Sequence, residues 1–239
     1  RTVFALAAIP GLLAVLVVLL FVKDPELAAR KSAETDGSSD KHVRDKPTEV
    51  EPFRLSGAAK RYLSALFVFS LAGSGDLFLL RRLADLGLNS AFVPIAWISL
   101  QLAKGLLNVP GGRASDKYGR KRVLALSWLL YGATYIGFGW ADSWVTAWIW
   151  LGLYAAHYGL AEGGQRAIMA EFVPAHNRGR AYGRQLALEG SALLVANIAF
   201  GYAYERVGAQ MAFGAAGGLA VIGALLLVAI VPTPRQTAA

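Results

Sequence analysis

An all-α membrane protein, built as a bundle of transmembrane helices, is the fold class this sequence predicts, and three observations carry it. Of 239 residues, 55% are hydrophobic and only 17% charged, and the mean hydropathy is positive. Runs free of Asp, Glu, Lys and Arg recur at Thr2–Val22, Leu86–Ala103, Val123–Ala141, Ser143–Ala161 and Val207–Pro234. Each reaches at least the 18 to 20 residues that cross a ~30 Å hydrocarbon core at ~1.5 Å per residue. Lys and Arg gather instead in the short polar segments between these runs. A soluble helix of this length keeps a wet face, and these do not.

Seven spans follow in order: Val3–Val22, Tyr62–Leu80, Ala91–Pro110, Val123–Trp140, Val145–Met169, Leu186–Tyr204 and Met211–Val231. The last six form one bundle, over residues 61–239, preceded by the span at residues 1–22. Between them, residues 23–60 are rich in Ser, Thr, Pro and charge and nearly lack large apolar residues until Phe53. Such a stretch buries too little apolar surface to fold alone, so a flexible linker is expected. Its end, Pro52 to Arg61, reads as an amphipathic lead-in at the membrane surface. Arg1 leads straight into an apolar span with no initiator Met and no signal-peptide pattern, which reads as a chain truncated at its N-terminus.

The net charge of +8 raises the class of nucleic-acid binders, but its distribution argues for membrane topology. One set of loops holds the linker cluster, then Arg113, Lys117, Arg120, Lys121 and Arg122, then Arg178, Arg180 and Arg184. The opposite loops offer Arg81, Arg82 and Arg206. By the positive-inside rule the rich side is cytoplasmic, which puts the linker and C-terminus there and Trp140, Trp144 and Trp148 at the outer interface. A plasma membrane is expected, and the excess of Arg over Lys points to a bacterial inner membrane. With no Cys, disulfides and thiolate metal sites are excluded. Glycines along the fifth span (Gly152, Gly159, Gly163, Gly164) and the seventh (Gly214, Gly217, Gly218, Gly223) are expected to let helix backbones approach.

The most specific motif is Gly112-Arg-Ala-Ser-Asp116-Lys117-Tyr-Gly119-Arg120-Lys121, placed between the third and fourth spans. Gly112 and Gly119 permit close approach and positive φ, Asp116 can meet the positive end of a neighbouring helix, and Arg120 offers a planar fork to a carboxylate. The set reads as a latch between helix ends. The alternative, a run of topology-setting charge, explains Lys117, Lys121 and Arg122 but neither the glycines nor Asp116. A second loop on the same side carries Glu171, Pro174, Arg178, Gly179 and Gly183.

The first motif resembles the signature loop of the major facilitator superfamily: Gly, three residues, Asp, a basic residue, any residue, Gly, Arg and a further basic residue. The second is similar to that family's Pro-x-x-x-Arg-Gly-x-x-x-Gly loop between helices ten and eleven. The resemblance implies that the first span answers to helix six, the linker to the central loop, and the remaining spans to helices seven to twelve. It also implies two three-helix units of inverted topology, and helices one to five as the missing opposite wall of a substrate cavity.

Ionisable residues within spans cost about 2.5 to 3.5 kcal/mol each on insertion scales, so they face protein or a water-filled cavity. The candidates for a substrate or proton pathway are Asp76, Lys104, His157, Glu162, Arg166 and Glu189. Glu162 and Arg166, four apart, can neutralise each other. Lys104, Glu162, Arg166 and Glu189 count into the cytoplasmic half and can form one gate network. Asp76 follows Gly73-Ser74-Gly75, a weakened stretch of helix. Two readings stay open for it, a pair with Arg81 or Arg82, or a coupling carboxylate in the pathway. His157, beside Tyr154 and Tyr158, reads as a satisfied hydrogen-bonding group or a proton carrier. Trp97, Gln101 and Asn197 are candidates for a cavity lining. Arg120 is expected to reach Glu171 first and Glu162 second, and Asp116 to lie near Tyr182 to Gln185.

The function expected is secondary active transport of a small solute by alternating access, with proton coupling as one option and membrane lipid as the surroundings. A non-transporting scaffold or sensor on the same fold is the alternative. Nucleophile elbow, P-loop, dinucleotide fingerprint and His-rich metal cluster are absent from the sequence, so no enzyme, cofactor or metal is expected.

Overall fold

The computed structural model describes residues 55–233, and the span expected at Val3–Val22, with most of the linker, lies outside them. Among the described residues there is no strand. Seven α-helices follow one another: α1 (Gly57–Leu71), α2 (Asp76–Asp85), α3 (Val93–Tyr118), α4 (Arg120–Trp140), α5 (Trp144–Phe172), α6 (Arg178–Arg206) and α7 (Ala209–Ile230). Short 3₁₀ turns at Ser90–Phe92 and Ala175–Asn177 precede α3 and α6.

Ser56 caps α1, its side chain accepting from the Ala59 N–H at 3.1 Å. Residues 57–60, read above as the end of the linker, are therefore the first turn of a helix that continues into the bundle. The single span expected at Tyr62–Leu80 is two successive pieces, α1 and α2, parted at Ala72 to Gly75. Two glycines within three residues each cost about 1 kcal/mol in a helix interior, and the break falls there.

The third span was expected to stop at Pro110, and it does not. Helix α3 runs through Pro110 to Tyr118. Proline removes one backbone donor, but neighbouring helices tolerate such a gap in a membrane segment. Most of the signature motif is thus helical, Gly112 included, and Gly119 alone makes the turn, at φ 92°.

The bundle is assembled by close backbone crossings. α3 meets α5 where a Cβ on Gly111 would fall 1.9 Å from the Gly159 carbonyl oxygen. α4 meets α7 where a Cβ on Gly132 would fall 2.9 Å from the Gly217 carbonyl oxygen. Gly152, Gly163 and Gly218 make no such approach to another helix, so the packing role expected of the glycines holds for only some of them. α4 is the central helix, packed on α5 and α7, and 61% of its apolar window is buried. The corresponding share is 17% in Ser90–Tyr118 and in Ala175–Arg206. Leucine and isoleucine side chains cover the outer faces of these two, as at Leu106 (75% exposed) and Ile198 (66%), a surface that suits lipid and not water.

Five segments are long and apolar enough to cross a membrane: Gly57–Asp85, Ser90–Tyr118, Arg120–Trp140, Ala175–Arg206 and Ala209–Ile230. Helix α5 matches them in length, at 29 residues, but its Trp, Tyr and His residues lower its hydropathy. Both ends of the bundle are tied by side chains on helix termini. At the end bearing the signature motif, Lys121 Nζ donates to the carbonyls of Val228 (3.0 Å) and Val231 (2.5 Å), closing the end of α7. At the other end Arg82 donates to the carbonyls of Phe138, Gly139 and Ala141 at 2.9 to 3.3 Å, closing the end of α4. Cations at helix C-termini satisfy orphan carbonyls and complement the dipole.

Candidate functional site

The break between α1 and α2 frees backbone groups that a membrane interior cannot hydrate, so each needs a protein partner. Tyr131 of α4 supplies two: its hydroxyl donates to the Ala72 carbonyl at 3.1 Å and accepts from the Ser74 N–H at 3.3 Å. One turn on, the Tyr135 hydroxyl donates to the Ser74 carbonyl at 3.3 Å and bonds the Ser74 hydroxyl at 2.8 Å. From α6, Asn197 Oδ1 accepts from the Gly75 N–H at 2.7 Å. A Cβ on Gly75 would crowd that oxygen at 3.2 Å, so glycine is what lets the amide reach.

Capped in this way, the break presents Asp76 as the first residue of α2. Its Oδ2 receives Lys104 Nζ from α3 at 2.6 Å, and its Oδ1 receives the Tyr154 hydroxyl of α5 at 2.7 Å. The ammonium also lies over the Tyr158 ring, 3.9 Å from its centroid, and 5.0 Å from that of Tyr154. The side chains of Lys104 and Asp76 are 10% and 16% exposed, so this is a buried pair. It overturns the pairing of Asp76 with Arg81 or Arg82. Arg81 meets Glu205 at 3.4 Å, and Arg82 is spent on the end of α4.

Lys104 also leaves the gate network read for it. Helix α3 continues past Pro110 to Tyr118, fourteen residues beyond Lys104, or about 21 Å along the axis. Lys104 therefore sits deep in the bundle, at the level of the break. Glu162, Arg166 and Glu189 do come together, lining one cleft with Asp76. The expected Glu162–Arg166 pair is not formed: Glu162 Oε2 instead accepts from Asn108 Nδ2 of α3 at 3.0 Å, and no described ion pair joins it to Arg166. Glu189 accepts from Gln185 Nε2 at 2.9 Å.

The cleft has a volume of about 1000 Å³ and is walled by α1, the break, α3, α4, α5 and α6, with Trp97, Phe69 and Tyr131 among its aromatic faces. Trp97 lines it as expected. Gln101 is not among its lining residues, and Asn197 serves the break. His157 lines it too, with Nδ1 2.6 Å from the Ser127 carbonyl oxygen. A carbonyl only accepts, so Nδ1 carries the proton, and the ring is held by that bond.

At the signature-motif end Arg120 Nη1 meets Glu171 Oε1 at 2.5 Å, the contact expected first. Asp116 does not reach Tyr182 to Gln185. It lies four residues before Arg120, across the Gly119 turn and 4.0 Å away, with its side chain 76% exposed, because the motif up to Tyr118 is helix and points Asp116 outward. Lys117 lies near the Tyr118 ring at 5.2 Å, Lys121 caps α7, and Arg178 and Gly179 open α6 from an exposed position. Tyr131, Tyr135, Tyr154 and Gln185 were missed in the sequence. The two tyrosine pairs at i, i+4 spacing, 131/135 and 154/158, were the available signal, since that spacing puts both hydroxyls on one helix face.

Residues 82–239 match the family model described as Major Facilitator Superfamily. The chain is also similar to an uncharacterized MFS-type transporter of Methanocaldococcus jannaschii, with 27% identity over 235 residues, covering 95% of this chain and 55% of the relative. It thus spans about half the length of that relative. A helical bundle of apolar spans, a signature loop at one end and a family match over most of its length place the chain in the major facilitator superfamily.

Proposed function

We propose that this chain works as the C-terminal half of a secondary active transporter, moving a small solute across the membrane by alternating access. The carrying observation is the interrupted helix α1/α2, whose freed backbone is capped by α4 and α6 and whose first carboxylate, Asp76, borders a 1000 Å³ cleft. Broken helices at mid-membrane sites are how transporters offer polar groups to a solute without leaving backbone unsatisfied. The similarity to a relative of which this chain covers 55% supports a second wall beyond these residues, with the cleft between the two.

In this reading α5 crosses the membrane with the other five segments, giving a six-span bundle from Gly57 onward after the span at 1–22 and a linker that ends before it. The signature-motif end and the linker are cytoplasmic, in the plasma membrane. Arg120–Glu171 acts as a latch holding α4 against the end of α5 while the cleft is closed on that side. Asp76 and Lys104 are the coupling pair, exchanging partners as the cleft changes sides. The test is reconstitution of the full chain into liposomes against a panel of solutes, with and without a proton gradient. Accumulation of at least one solute supports the proposal, and movement of none, with correctly inserted protein, sinks it in favour of a scaffold or sensor.

A further inference from the structure

The ammonium of Lys104 occupies a site assembled from three side chains: the Asp76 carboxylate from α2 and the rings of Tyr154 and Tyr158 from α5. A carboxylate beside aromatic faces is the chemistry that recognises an organic cation, through charge at one point and ring quadrupoles around it. Tyr154 fixes the carboxylate from the other side, so the geometry is set before any ligand arrives. We propose that Asp76, Tyr154 and Tyr158 form the binding site of an organic cation with apolar flanks, and that Lys104 is its resident competitor, displaced when the solute binds.

The charge of the cleft points the same way. Its lining carries three carboxylates, Asp76, Glu162 and Glu189, against one guanidinium, Arg166. Counting Lys104 behind Asp76, the balance remains acidic. An anion would instead meet acceptors and the negative faces of the rings. The volume, about 1000 Å³, is at the upper end of what drug-sized ligands occupy.

This inference rests on the transport reading but is tested by binding, so the two can fail separately. The probes are tetraphenylphosphonium and tetraphenylborate, equal in shape and opposite in charge, applied to the purified full chain in detergent by equilibrium dialysis. The expected result is binding of the phosphonium at least about tenfold tighter than the borate, a gap of ~1.4 kcal/mol. Lys104→Met is expected to tighten the phosphonium further. Should that variant fail to fold with Asp76 unpaired, the double variant Asp76→Asn/Lys104→Met removes both charges and leaves no orphan. It is expected to lose at least about tenfold in phosphonium affinity with borate binding unchanged. Borate bound as tightly as phosphonium, no binding of either, or a double variant that binds phosphonium like the parent overturns the proposal. Liposomes that move some other solute while phosphonium fails to bind would sink the cation site alone. Liposomes that move nothing while phosphonium binds as expected would sink the transport reading and leave the site.

Discussion

Substituting Gly111 by alanine places a methyl group where the backbone of α5 already runs. The added carbon would lie 1.9 Å from the Gly159 carbonyl oxygen and 2.4 Å from its carbon. Non-bonded heavy atoms rest at about 3.5 Å, so α3 and α5 must separate by roughly 1.5 Å at that level. Neither atom belongs to a side chain that could rotate away. Overpacking of this kind costs about 1 to 3 kcal/mol. The displacement is also transmitted to Lys104, two turns away on α3, whose Nζ is held 2.6 Å from Asp76. Gly105, on the same helix, has nothing within 4 Å of its Cβ position. Alanine there removes only the glycine penalty, a gain of about 0.5 to 1 kcal/mol. The two substitutions, identical in chemistry and six residues apart, are therefore predicted to shift stability in opposite directions. Thermal denaturation of the purified full chain in detergent, followed by loss of monodisperse protein, reads both. Gly111→Ala as stable as Gly105→Ala would refute the α3–α5 crossing and with it the placement of Lys104.

Tyr131→Phe leaves the Ala72 carbonyl and the Ser74 N–H without their partner. A loss of about 1 to 3 kcal/mol is expected for an unsatisfied buried group, measured in the same thermal assay. Asn197→Leu should cost a similar amount through the Gly75 N–H, and faster amide exchange around residues 72–76 would report both. Asp76→Asn strands the buried Lys104 ammonium, at about 3 to 5 kcal/mol, so extracted yield should fall. Adding Lys104→Met should restore it, and a double variant no better than the single would argue against the pair. Arg120→Gln, at a partly exposed pair, should cost at most about 1 kcal/mol of stability. Its effect is expected in the rate of solute uptake by liposomes, which a merely structural contact would leave unchanged.

Much of this organisation is legible in the sequence, and the errors share a physical origin. Apolar runs and basic loops disclose the helices because hydrocarbon admits no uncovered charge, and Gly112 to Lys121 disclosed the connection of α3 to α4. Helix ends were misjudged because a membrane helix can pass a proline at the loss of a single backbone hydrogen bond. Stopping α3 at Pro110 placed Lys104 too shallow and hid its bond to Asp76. Glu162 and Arg166 satisfied the i, i+4 rule, yet Asn108 from a neighbouring helix claimed the carboxylate, and one-dimensional spacing contains no information about neighbours. The tyrosines that cap the break show only their i, i+4 spacing in the sequence, since their partners lie about sixty residues away in the chain.

The claim that the cleft is a water-filled path opened to each side in turn is tested most directly by thiol accessibility. Gly190 lines the cleft and has nothing within 4 Å of its Cβ position, so Gly190→Cys fits, and the sequence contains no Cys of its own. With Gly190→Cys in the full chain, on a background without other thiols, an impermeant maleimide is applied to one face of the membrane and, separately, to the other. Leu106→Cys, on the lipid-facing side of α3, serves as the control, because a thiol needs water to ionise and react. Alternating access predicts labelling at Gly190→Cys from both faces and none at Leu106→Cys. Labelling of Gly190→Cys from one face only would contradict it.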